Sequence, residues 1–406
     1  MTLVCIPYSE TLSHVSRLLA LAVPLRSAGV DVVFAGSGKE MRHVTAAGFP
    51  TVPLWEPPKD ELFGAIRARQ LNFVSSEAVR RMVSADLELF GELHPTAVLS
   101  DGRFSACIST RIAGIRHGAI VNASSTRFRR LPYMPFFADI ASRIPPIRPL
   151  LVRLEYTLFN LLMRTFRDVS REFQIPQATT PTDCLTGNEL TLIPDLPEFF
   201  PTRHLPRTYH YLGPLTWKPA KGTLQDPEIP ENNATEPLIY LTMGTTGDDA
   251  FLRAVRDLLT HSPLRAVITT AGQAPGLASL PGKLSITDYA DGDLLCQQAD
   301  IVVCHGGNGT IYQALRQGKP VVGIPFIPDQ EYNMRRVEGL GLGRTVMPKD
   351  FYDRPQSLLE AITEQLGSAD TRMRCQRFGE RIRAQSPESV GSKLIQEDLL
   401  EPSRRR

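Results

Sequence analysis

His305-Gly306-Gly307-Asn308-Gly309-Thr310 follows an apolar run, Ile301–Cys304, and leads into a helical pattern that closes at Gly318. A glycine-rich turn from strand to helix lets backbone N–H groups approach an anion, and the helix N-terminus adds about half a positive charge. A diphosphate fits that place. A second apolar run, residues 320–325, then delivers Asp329 and Gln330 to the carboxyl end of a parallel strand, where open α/β sheets bind ligands. Near the start of the chain, His14 opens a helical pattern just after the first strand, and Asp101 ends the strand pattern 96–100. A histidine at that strand end stands where a general base can reach a hydroxyl. A carboxylate bonded to one imidazole nitrogen fixes the tautomer and stabilises the imidazolium. Both residues have plainer readings: His14 as a solvated or capping residue, Asp101 as the N-cap of the helix from Ser105, aided by Gly102. Arg103 is placed either to pair with Asp101 or to reach a ligand.

The elements that must position these groups alternate. Strand patterns at 2–6, 31–36 and 51–54 are separated by helical patterns at 13–28 and 39–47, with Gly29 and Gly48 at the C′ positions. Residues 61–93 read as helix, followed by strand 96–100, helix 105–113 and strand 118–122. The scheme repeats with strand 237–243, helix 249–261 and strands 264–270 and 283–287. Such βα alternation implies parallel sheets. The Pro-rich stretch from Pro214 to Pro237 has linker composition. Gly36-Ser37-Gly38-Lys39 fails as a phosphate loop, because Val33 stands where the first glycine is needed and Glu40 replaces Ser or Thr.

The pattern HGG-x-G-T, then AL-x-x-G-x-P, then DQ-x-x-N closely resembles the nucleotide-binding signature of GT-B glycosyltransferases of the macrolide and plant UDP-glycosyltransferase type. It is carried by His305, Gly306, Gly307, Thr310, Ala314, Leu315, Gly318, Pro320, Asp329, Gln330 and Asn333. The resemblance implies an α/β architecture of two Rossmann-like, doubly wound parallel-sheet domains facing a cleft. The expected boundaries are 1–214 for the acceptor domain, 215–236 for the linker, 237–386 for the nucleotide-sugar domain, and 387–406 for a final helix and tail that crosses back to the first domain. It also implies His14 as the base that deprotonates the acceptor, with Ser13 where relatives commonly have Gly. Gly244 and Thr245 match a Gly-Ser or Gly-Thr turn on the donor side. Tyr289 matches an aromatic that holds the nucleobase, with Asp291 replacing the usual Pro. Gln313 stands where many UDP-sugar enzymes carry a ribose-binding Glu. The donor-binding set is thus Gly244, Thr245, Tyr289, His305, Gly306, Gly307, Asn308, Gly309, Thr310, Gln313, Asp329 and Gln330, the last two orienting sugar hydroxyls. The expected activity is metal-independent, inverting transfer of a hexose-type sugar, with a UDP-sugar or dTDP-sugar as co-substrate and no other cofactor. A hydrolysing UDP-N-acetylglucosamine 2-epimerase-like enzyme and a non-catalytic nucleotide-sugar-binding protein are the alternatives.

The net charge of +2 and a hydrophobic content of 42% describe a globular chain with no bulk attraction for nucleic acid. The six cysteines are scattered, without a C-x-x-C pair, as free core thiols would be. Without a signal peptide or a long apolar run, the expected location is cytoplasmic, with peripheral membrane contact left open. Between Arg111 and Arg171 the chain carries eleven arginines against Asp139, Glu155 and Asp168, with apolar stretches at 132–137 and 150–166. That composition suits an anionic membrane and an amphipathic acceptor, or a helical insertion with its apolar face in the core and its arginines in water.

Overall fold

The computed structural model describes residues 1–175, 180–217, 227–230, 236–244 and 249–401. Its backbone packs as two compact units, Met1–Trp217 with Ser386–Arg406, and Lys218–Gln385. Most of the stretch read as a linker, together with Thr245 and the terminal arginines, lies outside the described residues.

The first unit is built on seven parallel strands: β1 (Thr2–Pro7), β2 (Asp31–Ala35), β3 (Thr51–Val52), β4 (Ala97–Asp101), β5 (Arg116–Ile120), β6 (Leu190–Ile193) and β7 (Tyr209–Tyr211). Their order is β3-β2-β1-β4-β5-β6-β7. Its helices are α1 (Leu12–Ser27), α2 (Met41–Ala46), α3 (Lys59–Arg67), α4 (Ser76–Leu93), α5 (Ala106–Ala113), α6 (Pro135–Arg143), α7 (Arg148–Leu162), α8 (Arg164–Glu172) and α9 (Pro181–Cys184). Strand β1 is buried from Leu3 onward and β4 throughout, as strands covered on both faces must be. The single helical stretch expected over 61–93 is broken into α3 and α4. Arg69 adopts the left-handed region at φ 54°, and the Ser75 hydroxyl caps α4 by accepting from the Ala78 N–H at 3.1 Å. Strands β6 and β7, of 4 and 3 residues, are too short to announce themselves by periodicity.

The second unit has six parallel strands: β8 (Leu238–Thr242), β9 (Arg265–Thr269), β10 (Leu284–Thr287), β11 (Ile301–Cys304), β12 (Val321–Gly323) and β13 (Gly343–Thr345), in the order β10-β9-β8-β11-β12-β13. Around them lie α10 (Asp249–Thr260), α11 (Gly292–Gln298), α12 (Asn308–Arg316), α13 (Pro328–Gly339), α14 (Pro348–Asp353), α15 (Gln356–Gly367) and α16 (Ala369–Arg383). The chain then returns to the first unit as α17 (Pro387–Leu394) and a π-helical turn, Ile395–Leu400. Ile395, Leu399 and Leu400 are buried in one cluster with Leu3, Leu21, Leu99 and Ile120, so the C-terminus completes the first core.

In both sheets the strand order reverses at one place, between β1 and β4 in the first and between β8 and β11 in the second. At such a switch point the loops leave in opposite directions and open a crevice beyond the strand ends.

Candidate active site

Strand β1 pairs with β4 up to Pro7 opposite Asp101, and the Tyr8 N–H donates to the Asp101 carbonyl at 2.8 Å. The loop after β1 is held by Glu56, which accepts from the Ser9 N–H at 2.9 Å and from the Ser9 hydroxyl, while the Gly38 N–H donates to that hydroxyl oxygen at 2.6 Å. Burial pushes the Glu56 carboxyl above its ordinary range, against the lowering effect of the Ser9 bonds. The loop therefore delivers His14 to the first turn of α1, one helical turn before Arg17.

The two candidate catalytic side chains meet there. Nδ1 of His14 lies 2.6 Å from Oδ1 of Asp101; the imidazole is 27% exposed and the carboxylate 1%. Asp101 is not the cap of α5, whose N-cap residue is Ser105. Arg103 neither pairs with Asp101 nor faces a ligand. Its guanidinium is buried against Asp86, at 2.7 Å, and the Trp55 and Met82 carbonyls, while Ser105 and Ser109 donate to the other Asp86 oxygen. The cation on Asp101 is Arg17: Nε donates to Oδ2 at 2.8 Å, one terminal nitrogen donates to Oδ1 at 2.6 Å, and the other reaches Oδ1 of Asn122 at 2.5 Å. A planar guanidinium bonded to both carboxylate oxygens fixes the carboxylate plane, and with it the imidazole. Arg17 is three residues beyond His14 on one helix face, and that spacing was the sequence signal available for it.

Gly102 sits at φ +79°, and a Cβ there would lie 3.0 Å from Cε1 and 3.1 Å from Nδ1 of His14. Its expected part in a helix cap gives way to a different one: it leaves room for the imidazole ring. Tyr8 meets that ring edge-on at 6.3 Å between centroids. Tyr8 belongs to an apolar cluster with Leu62, Val79, Met82, Ile108 and Phe166, flanked by the partly buried Trp55, Phe63, Phe73 and Phe104. The surroundings of His14 are therefore polar on the Asp101 side and aromatic on the other.

In the second unit, Gly244 ends the β8 turn against the ring of His305; a Cβ there would lie 2.8 Å from Cε1. His305 follows β11, and Gly306 turns the chain at φ +83° with Met334 Cγ only 2.9 Å from where a Cβ would stand. Gly307 is the N-cap of α12, so Asn308, Gly309 and Thr310 form its first turn, with their N–H groups directed out of the helix start. Burial pushes His305 down to about 4, with the Thr242 backbone offsetting part of that, so the ring is neutral near pH 7. Among the described residues its Nδ1 has no hydrogen-bond partner.

Asn333 is fully buried and donates to the Gly306 carbonyl at 2.9 Å and to Asp329 at 3.4 Å, tying α13 to the glycine turn. Gln330, expected to orient sugar hydroxyls, is only 3% exposed, and its Oε1 accepts from the Phe326 and Ile327 N–H groups at 2.8 and 3.3 Å. The structure gives it a capping role at the start of α13, and Asp329 is the more accessible of the pair. Gln313, on the second turn of α12, has its carboxamide against Gly292, within 3.4 Å of where a Cβ would stand. Tyr289 is half-buried at the end of β10 and donates to the Ala271 carbonyl at 3.1 Å. Asp291, in place of the usual Pro, caps α11 by accepting from the Asp293 and Leu294 N–H groups at 2.9 and 3.2 Å. The structure thus clusters Gly244, His305, Gly306 and Gly307 with Asn333 and Asp329, while Tyr289 stands two strands away from β8. Among the described residues no group of three or more His, Cys, Asp or Glu side chains is arranged to hold a metal ion.

Comparison with known proteins finds glycosyltransferases. Residues 238–383 match the glycosyltransferase family 28 C-terminal domain. A PGL/p-HBAD biosynthesis glycosyltransferase of Mycobacterium tuberculosis (strain ATCC 25177 / H37Ra) is 31% identical over 92% of this chain and 86% of its own. A PGL/p-HBAD biosynthesis rhamnosyltransferase of Mycobacterium bovis (strain BCG / Pasteur 1173P2) is 32% identical over 82% of this chain and 74% of its own. The solved structure of the spinosyn rhamnosyltransferase SpnG complexed with thymidine diphosphate superposes with a TM-score of 0.69, at 18% identity over 97% of this chain and 100% of that one.

Proposed function

The chain belongs to the GT-B glycosyltransferases of the macrolide-glycosyltransferase type, and from that premise we propose that it moves a hexose-type sugar from a nucleoside-diphosphate sugar to a hydroxyl of a small-molecule or lipid-like acceptor, with inversion at the anomeric carbon. The observation that carries this reading is the 2.6 Å contact between Nδ1 of His14 and Oδ1 of Asp101. With Nδ1–H donated to the carboxylate, Nε2 keeps its lone pair and takes the acceptor proton as the acceptor oxygen attacks the sugar C1. Asp101 stabilises the imidazolium, and Arg17 keeps the carboxylate oriented. The bond from C1 to the diphosphate oxygen breaks in the same step, so one displacement inverts the configuration.

The leaving diphosphate meets the N–H groups and dipole of α12 and the single N–H of a neutral His305. That field supports catalysis without a divalent ion. UDP is the first donor nucleotide, with dTDP close behind, since the amide of Gln313 accepts a ribose hydroxyl less strongly than a carboxylate would and so weakens the preference for ribose. The relative named a rhamnosyltransferase and the thymidine diphosphate bound by SpnG keep dTDP in the test. The aromatic cluster beside His14 suits an acceptor with an apolar body. No helix among the described residues is long and apolar enough to cross a membrane.

The test measures nucleoside diphosphate release from UDP- and dTDP-sugars, with and without phenolic and aliphatic alcohol acceptors, in the presence of EDTA. Acceptor-dependent release that survives EDTA is the expected result. Release that returns only with magnesium or manganese overturns the metal-independent reading, and acceptor-independent release overturns transfer. Gln313→Glu should move the donor preference about tenfold toward UDP-sugars, because only a ribose offers the 2′-hydroxyl to the new carboxylate.

A further inference from the structure

Helix α7 buries Leu151 and Val152 but turns its other leucines to water and its carboxylate inward. Its one carboxylate, Glu155, is 1% exposed, while Leu150, Leu154, Leu158, Leu161 and Leu162 are 64, 43, 36, 59 and 49% exposed. At about 100° per residue, Leu150, Leu154, Leu158 and Leu161 fall within about 80° of arc, a continuous outward stripe. Phe136, on the packed neighbour α6, adds an aromatic at 70% exposure.

The rotation is imposed by hydrogen bonds. Glu155 accepts from Arg129 at 2.7 Å, from the Tyr133 N–H at 2.9 Å and from the Met134 N–H at 2.5 Å, and Arg129 is itself 5% exposed. A buried carboxylate with three donors cannot be turned out without leaving them unpaired, so the leucines stay outside. The helical insertion expected with its apolar face in the core and its arginines in water is therefore corrected in two respects. Most of the α7 leucines face outward alongside the exposed Arg153, and Arg129 is a structural partner rather than a surface charge.

The other arginines set what can cover that stripe. Arg127, Arg130, Arg143, Arg153, Arg164 and Arg171 are exposed, against exposed Asp139 and Asp168 in the same stretch. A second copy of the chain docked by a two-fold axis would bring this excess of like charge onto itself. An anionic surface complements it. With 15 residues, α7 lies along such a surface rather than through it. We propose that the outward face of α7, with Phe136, docks on an anionic lipid bilayer, the leucines entering the headgroup boundary and the flanking arginines meeting lipid phosphates. This goes beyond the glycosyl-transfer reading and stands whether or not the acceptor is itself a lipid.

The experiment is flotation of the full chain with phosphatidylcholine vesicles, with and without phosphatidylglycerol, at low and high salt. The chain should float with the phosphatidylglycerol vesicles, less at high salt. Leu150→Asn combined with Leu154→Asn and Leu161→Asn should lower the bound fraction about tenfold or more. Arg143→Gln and Arg153→Gln should each weaken binding to the anionic vesicles about fivefold. Nucleoside diphosphate release with a soluble acceptor and the melting temperature should stay at wild-type values in all these variants, which separates this proposal from the catalytic reading. No flotation at low salt, equal flotation of the triple-leucine variant, or a concentration-dependent dimer abolished by that variant would each overturn it.

Discussion

His14 and His305 stand on opposite sides of the point where strand order reverses in their own sheets, His14 beyond β1, the counterpart of β8, and His305 beyond β11, the counterpart of β4. Their surroundings differ in every respect that matters to a proton. His14 is 27% exposed and bonded to a carboxylate that is itself held by a guanidinium. Among the described residues His305 lies between Gly244 and Gly307 with no carboxylate partner, and burial pushes it down to about 4. In the proposed reaction the first histidine is the group that takes the acceptor proton. The second is neutral near pH 7 and is proposed to meet the donor's diphosphate. The two sides of a switch point are thus proposed to serve two roles, and the groups in contact with each ring separate them.

The comparison breaks most directly at His14. His14→Ala should lower turnover about 10²- to 10⁴-fold while nucleoside diphosphate affinity, measured by calorimetry, stays unchanged. Near-normal turnover would remove the contrast. Asp101→Asn should cost about 10²- to 10³-fold in turnover, since the amide neither fixes the tautomer nor supports the imidazolium. It should also lower the melting temperature, because Arg17 loses its bidentate partner. A fall in melting temperature alone, with turnover intact, would make Asp101 purely structural.

A geometric perturbation sharpens the same point. Gly102→Ala places a methyl about 3 Å from the His14 ring at a φ that favours glycine, so turnover should fall about 10- to 100-fold with nucleotide affinity retained. An unchanged kcat would mean that the ring position is loosely specified.

At the second histidine the effect should be in binding. His305→Ala should weaken nucleoside diphosphate affinity about tenfold, the loss of one hydrogen bond to a charged group. Between about pH 5.5 and 8, well above its value of about 4, wild-type affinity should show no inflection from this residue. Stability should respond to acid, however. The unfolded chain takes up a proton at His305 as the pH falls through its ordinary 6.5, whereas the folded protein does so only near 4, and His117 only near 3. The stabilising contribution is therefore complete above about 6.5 and is lost as the pH falls toward 4. His305→Asn should flatten that decline in a melting series, and an unchanged slope would contradict the depressed value.

The sequence by itself determined the parts of this protein that are local or periodic. The βα alternation, the glycine turn from His305 to Thr310, and the placement of His14 and Asp101 at strand ends all depend on neighbours within a few residues or on a run of apolar side chains. The choice of partners was decided by the tertiary structure. Asp101 meets Arg17 across 84 positions of chain, Arg17 meets Asn122 across 105, and Arg103 turns away to Asp86. No spacing rule encodes such pairs, because they exist only once β1 and β4 lie side by side. Gln330 reads as a ligand group from its strand-end position, yet its carboxamide caps α13, since a rotamer is settled by which donors lie nearest. Helix α7 reads as amphipathic and its leucines share about 120° of arc, but periodicity could not say that most of that face turns outward. That was settled by Glu155, whose carboxylate finds Arg129 and two backbone N–H groups only in the folded chain, at a place where leaving them unpaired would cost more than exposing leucine.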